Sequence, residues 1–166
     1  MEYLIVVDMQ EDFLRGSLAN PAAAGILESV KKAINAHKGK VIFTLDTHCK
    51  NYLQTQEGLK LPVAHAIKGT KGHNIADELT NYLTLPDVIT LEKNNFGYLN
   101  WDLPNLSHVT IIGILTDICV VSNALILKAK YPEIPIRVLS KACAGTTPEN
   151  HKAALQVMHS CQIEII

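Results

Sequence analysis

The chain has no CxxC pair, no apolar run near bilayer length, no excess of either charge, no internal repeat and no glycine-rich phosphate loop. Each absence removes a class of function. The four cysteines, Cys49, Cys119, Cys143 and Cys161, stand far apart, so neither a disulfide framework nor a thiolate zinc finger has a spacing to use, and free thiols are expected. Fifteen basic residues against sixteen acidic ones leave a formal charge of -1, which argues against a nucleic-acid partner gripped by neutralising phosphates. The apolar stretches fall well short of the ~20 residues that cross a bilayer, and Met1-Glu2-Tyr3 enters a strand-like run with no basic signal-peptide start. A cytoplasmic protein without a membrane partner is therefore expected. Neither GxGxxG nor GxxxxGKS occurs, so alternating strands and helices do not by themselves make a nucleotide enzyme.

What is present is a 166-residue chain of 48% hydrophobic composition, enough for one domain, 1–166, with a sizeable core. Leu4-Ile5-Val6-Val7 reads as a strand buried on both faces, ending at Asp8. The 3.6-residue period of Ala23, Ile26, Leu27, Val30 and Ile34 predicts one helix over 22–37, with Pro21 at its start and Gly39 past its end. Val41–Leu45 is a second strand, followed by Asp46-Thr47-His48. Residues 49–72 lack periodicity and read as a long loop, of the kind that is usually functional. A short helix over 74–83 leads to a third strand, Val88–Leu91, and then to Glu92-Lys93. Val109–Ile112 is the fourth strand, 116–130 its helix, Pro135–Leu139 the fifth strand, 149–159 the last helix and 162–166 the closing strand. Six strands alternating with about four helices predict an α/β fold, three layers deep, around a six-stranded, mostly parallel sheet of Rossmann-like topology.

In such sheets, ligands bind beyond the carboxyl ends of the strands. Asp8, Lys93 and Cys119 all fall at that edge. Thr116-Asp117 can cap the following helix, which places Cys119 near a helix N-terminus where the dipole favours a thiolate. Most cysteines on core helices are simply buried, so the weight rests on the company Cys119 keeps. An ammonium stabilises a thiolate, and a carboxylate can take the thiol proton and pass it to a leaving amine. A second group, Asp46, His48, Glu57 and His65, offers the nitrogen and oxygen ligands that zinc, iron or manganese accept. His73 competes with His65 for the third place, and Cys49 lies beside His48.

The segments Leu4–Phe13, Asp46-Thr47-His48, Ile67-Lys68-Gly69-Thr70 and Gly113–Val120 resemble the isochorismatase-like cysteine hydrolases, and within them the nicotinamidase branch, over essentially the whole chain. The resemblance implies an Asp8/Lys93/Cys119 triad that cleaves the C–N bond of a small-molecule amide through a thioester. It implies a cis peptide at Ile114–Leu115, with the backbone N–H groups of Leu115 and Cys119 as oxyanion hole. It also implies a divalent metal, zinc first, on Asp46, His48 and His65 with Glu57 as fourth ligand, holding the ring nitrogen of nicotinamide. Phe13, Leu115 and Tyr98 are the substrate-binding expectations. The tryptophan common in the branch's metal loop is missing, the single one being Trp101, and Tyr52 or Tyr98 is expected to replace it. A homo-oligomer and a place in NAD metabolism follow from the same resemblance. The alternatives are a metal-free relative acting on another amide or an N-carbamoyl compound and, in another class, a redox- or metal-sensing module.

Overall fold

Successive residues of a strand face opposite sides of its sheet. In the computed structural model, which describes residues 1–166, Leu4 and Val6 enter one hydrophobic core while Tyr3, Ile5 and Val7 enter another, and all five are buried. This strand, β1 (Glu2–Val7), lies inside a six-stranded sheet with β2 (Lys40–Asp46), β3 (Val88–Lys93), β4 (His108–Ile114), β5 (Ile136–Ala144) and β6 (Glu164–Ile165), in the order β3-β2-β1-β4-β5-β6. Every neighbouring pair is parallel. The strand order reverses between β1 and β4, and the crevice at such a switch point is where open α/β sheets bind ligands. Asp8 follows β1 and Cys119 follows β4, so the switch point sits between them.

The helices α1 (Glu11–Leu14), α2 (Pro21–Gly25) and α3 (Leu27–Ala36) cover one face, where Phe13, Ala23, Val30 and Ile34 pack on the sheet. The short α4 (Gln56–Lys60) stands over the carboxyl edge, and α5 (Val121–Lys130) and α6 (Pro148–Ser160) bring Ala124, Leu127 and Met158 to the opposite face.

Several boundaries differ from the periodicity, each for a local reason. The single helix expected over 22–37 is broken at Ile26, directly after Gly25, a residue that weakens a helix interior by about 1 kcal/mol. The helix expected from Asn74 begins only at Asp77, as a 3₁₀ segment to Thr84, because the Asn74 carbonyl and the Ala76 N–H are already bonded to the backbone of Glu11 and Met9. The 49–72 stretch is not bare loop: Tyr52–Gln54 forms a 3₁₀ turn, and Thr55 caps α4 by accepting from the Gly58 N–H. β5 runs on to Ala144, its register with β4 shifting between Ile111 and Gly113 so that Gly113 pairs with Cys143.

At Gly113 the backbone takes a φ of +111°, and a Cβ there would lie 2.2 Å from the Val7 carbonyl oxygen. Gly113→Ala is therefore expected to destabilise the fold by about 3 kcal/mol, from the positive φ and the backbone clash together. Urea unfolding checks this, and a midpoint equal to the parent's contradicts it.

Candidate active site

A left-handed backbone conformation at the end of β1 decides where the first carboxylate points. Asp8 adopts a φ of +49°, and its Oδ1 accepts a 2.7 Å hydrogen bond from the Thr44 hydroxyl. Lys93, the last residue of β3, pairs in register with Asp46, the last residue of β2, which brings its chain under the crevice. Its Nζ lies 2.7 Å from Asp8 Oδ2, 3.4 Å from Asp46 Oδ1 and 3.4 Å from Cys119 Sγ. One buried ammonium thus touches the two carboxylates and the thiol at once. Burial opposes that charge, yet Asp8, Cys119 and Asp46 hold the Lys93 pKa above its ordinary value. Burial raises the Asp8 pKa, with Lys93 opposing.

Cys119 corrects a sequence expectation. Thr116 and Asp117 do not cap the helix: the Thr116 hydroxyl bonds His151 Nδ1 at 2.8 Å, and the Asp117 carboxylate accepts from the Thr146 N–H and hydroxyl at 2.8 and 2.5 Å. The chain enters α5 through a wide π turn over Thr116–Val120, preceded by a cis peptide at Ile114–Leu115. Burial then pushes the Cys119 thiol well above its ordinary pKa, with Asp8 adding to the rise and Lys93 opposing it. The thiol thus stands beside Asp8 and Lys93 on a turn that no side chain caps.

The second cluster lies on the β2 side. His48 Nε2 is 2.9 Å from Asp46 Oδ2 and 3.7 Å from Glu57 Oε1, while His65 Nε2 is 3.6 Å and 3.9 Å from the same two oxygens. One ligand atom from each of Asp46, His48, Glu57 and His65 lies within 4.8 Å of all the others. The Val63 carbonyl sits 2.7 Å from His65 Nδ1. A carbonyl can only accept, so Nδ1 carries the proton and Nε2 keeps its lone pair for the cluster. Two imidazoles and two carboxylates form a donor set that suits zinc and its first-row neighbours, and the residues fit such an ion. Burial works against the Asp46 charge, but the nearby His48, His65 and Lys93 hold its carboxyl well below the usual range. His73 stands apart, its Nε2 2.8 Å from the Thr47 hydroxyl, and Cys49 is exposed and outside the group.

Between the clusters opens a cavity of about 470 Å³, lined by Asp8, Phe13, Asp46, Glu57, Leu61, His65, Phe96, Leu115, Ile118 and Cys119, with the 18–21 segment and Thr146 closing it. Phe13 and Leu115 are on its wall. Tyr98 is not: its ring packs edge-on to Trp101 at 5.1 Å and its N–H bonds Asn123, so the neighbouring Phe96 supplies the aromatic wall instead. Tyr52 does not line the cavity either. Its ring lies 4.6 Å from His48 and 4.8 Å from His65 and backs both imidazoles. The spacing of aromatics along the 93–101 loop, in which Phe96 is the more polar-flanked, gave no periodic signal for which ring turns inward.

The isochorismatase domain family model matches residues 2–166. The chain belongs to the isochorismatase family. The pyrazinamidase of Pyrococcus horikoshii, solved in complex with zinc, is similar at 28% identity and a TM-score of 0.83, over 99% of this chain and 98% of that one. The pyrazinamidase/nicotinamidase of Streptococcus mutans gives 27% and 0.81, over 100% of both chains. N-carbamoylsarcosine amidase of Thermoplasma acidophilum shares the fold at 23% identity and a TM-score of 0.76, over 99% of this chain and 94% of that one. No curated protein matches the sequence. The chain is thus an isochorismatase-family hydrolase with amidase-type structural neighbours, and no helix in it is long and apolar enough to cross a membrane.

Proposed function

We propose that this hydrolase converts nicotinamide to nicotinate and ammonia. The observation that carries the reading is the placement of Cys119 and Asp8 on one cavity with three of the four ligand-type side chains, Asp46, Glu57 and His65, and with two phenylalanine rings. A flat heteroaromatic amide fills such a space with its ring between the aromatics and its carbonyl at the thiol. That the similar pyrazinamidase was solved in complex with zinc supports a metal at the Asp46, His48, Glu57 and His65 group here.

The steps follow from the residues. Cys119 Sγ gives its proton to Asp8 as sulfur attacks the amide carbon, forming the C–S bond and moving the carbonyl electron pair to oxygen. Lys93, in contact with both groups, stabilises the anionic sulfur before the bond is complete. The backbone N–H groups of Leu115 and Cys119 receive the oxyanion. Asp8 hands the proton to the nitrogen, the C–N bond breaks and ammonia leaves a thioester. Asp8 then takes a proton from water, the hydroxide adds to the thioester carbon, and the C–S bond breaks to give the carboxylic acid while Asp8 returns its proton to the departing sulfur, restoring the thiol. Asp46, His48, Glu57 and His65 would hold a divalent ion, zinc the expected one, which would supply a Lewis acid for the ring nitrogen.

The cavity wall also supports this reading over an N-carbamoyl acid substrate. Its ionisable lining is Asp8, Asp46, Glu57, His65 and Cys119, with neither arginine nor lysine on the wall to receive a carboxylate. A neutral amide brings no charge to this acidic wall, which favours it over an anionic one. A sensing role for Cys119 is disfavoured by its burial, since sensor thiols are exposed and readily ionised.

The test compares ammonia release from nicotinamide and from an N-carbamoyl amino acid, by the parent and by His48→Ala. The parent is expected to cleave only the first, and His48→Ala is expected to lose zinc and at least about tenfold in kcat/KM for it. A His48→Ala enzyme as active as the parent, or turnover of the anionic compound alone, rejects the substrate assignment.

A further inference from the structure

We infer that Gln10 and Asp12 are positioning residues for the metal ligands, so that the turn between β1 and α1 sets how Asp46 and the two histidines stand around an ion. The inference rests on the metal-binding reading above.

The argument begins with a missing strand partner. The parallel ladder between β1 and β2 has its last rung at Val7 and Thr44, with one further bond from the Asp8 N–H to the Thr44 carbonyl. There the positive φ of Asp8 turns the chain away. Asp46, two residues beyond Thr44, is buried and has no β1 backbone beside it. The side chain of Gln10 takes that place. Its Oε1 accepts from the Asp46 N–H at 2.8 Å, and its Nε2 donates to the Asp46 carbonyl at 2.9 Å and to the His73 carbonyl at 2.8 Å. Gln10 is fully buried, and a primary amide is the side chain that offers an acceptor and two donors in one plane.

Asp12 does the equivalent for the histidines. Its Oδ2 accepts from the Ala66 N–H at 2.8 Å, at the peptide that joins His65 to Ala66. Ala66 has a φ of +45°, unusual for a residue with a side chain, and its carbonyl accepts from the His48 N–H at 3.0 Å. The backbones of His65 and His48 therefore meet at one residue, and Asp12 holds it. Phe13, next in the chain, sets its ring 5.7 Å from the His65 ring. The turn that carries Asp8 to the thiol thus also fixes Asp46 and both imidazoles, coupling the nucleophile end of the cavity to the ligand end.

The test measures zinc affinity of the metal-free full chain by competition with a chromophoric chelator, alongside the cobalt(II) absorption spectrum and the unfolding temperature without metal. Gln10→Met and Asp12→Ala are expected to weaken zinc binding about 10–100-fold and to shift the cobalt bands. Asp12→Asn keeps an acceptor for the Ala66 N–H and is expected to recover most of the loss. Folded Gln10→Met and Asp12→Ala variants that bind zinc as tightly as the parent overturn the inference, whatever their unfolding temperatures. If Asp12→Ala does not fold, Gln10→Met decides it by the same affinity criterion. A parent chain that binds no zinc rejects the metal reading itself, a result distinguishable from failure of the two variants alone.

Discussion

Cys119→Ala is expected to lower kcat for nicotinamide hydrolysis by at least about 10⁴-fold, on the scale seen when a covalent nucleophile is removed, and to leave binding of the amide largely intact. The physical reason is that the remaining groups, an Asp8–Lys93 ion pair and a metal-type ligand cluster, can still hold the substrate but have nothing to form the acyl bond. Removing a single buried thiol leaves only a small void, so the unfolding temperature is expected to change little. Steady-state ammonia release together with calorimetric binding checks both halves. Substantial turnover by Cys119→Ala means that water attacks the amide directly, and the thioester route is then wrong.

The second large effect belongs to Lys93. Its Nζ is the cation in contact with Asp8 and Asp46, and its side chain is almost completely buried. Lys93→Met leaves those carboxylates without a counter-charge, which costs about 3–5 kcal/mol when one partner of a buried pair is lost. The Asp8 carboxyl, already raised by burial, is then raised further, which disfavours the carboxylate that serves as base. The double variant Asp8→Asn/Lys93→Met is expected to regain much of the stability and none of the activity, because the uncompensated charge at Asp8 is gone. Denaturant unfolding of the two single variants and the double gives the coupling. Additive losses show that Asp8 and Lys93 do not act as a pair.

Much of this arrangement was legible in the chain itself. The β-branched run before Asp8, the strand before Lys93 and the strand before Cys119 place three ionisable residues at one sheet edge, and parallel pairing does the rest. What periodicity could not show is how the side chains share space once there. The upward push on the thiol pKa comes from burial, which a position near a helix start does not reveal. His65 and His73 are equally good ligands by residue type. They separate only because the Ala66 peptide bonds His48 while the His73 ring turns to Thr47. Tyr98 and Phe96 are two residues apart on an irregular loop, where no period tells which ring faces the cavity. Gln10 and Asp12 stand in the segment that carries the family resemblance, yet their partners at Asp46 and Ala66 lie 36 and 54 residues away, contacts that only the fold creates.

The most direct test of the account is the stoichiometry of products from nicotinamide with zinc-loaded protein, measured with and without a chelator. The account predicts ammonia and nicotinate in equal amounts, with turnover falling steeply once the metal is withdrawn and returning when it is restored. No ammonia from the zinc-loaded protein, or the same rate after complete metal removal, would contradict it.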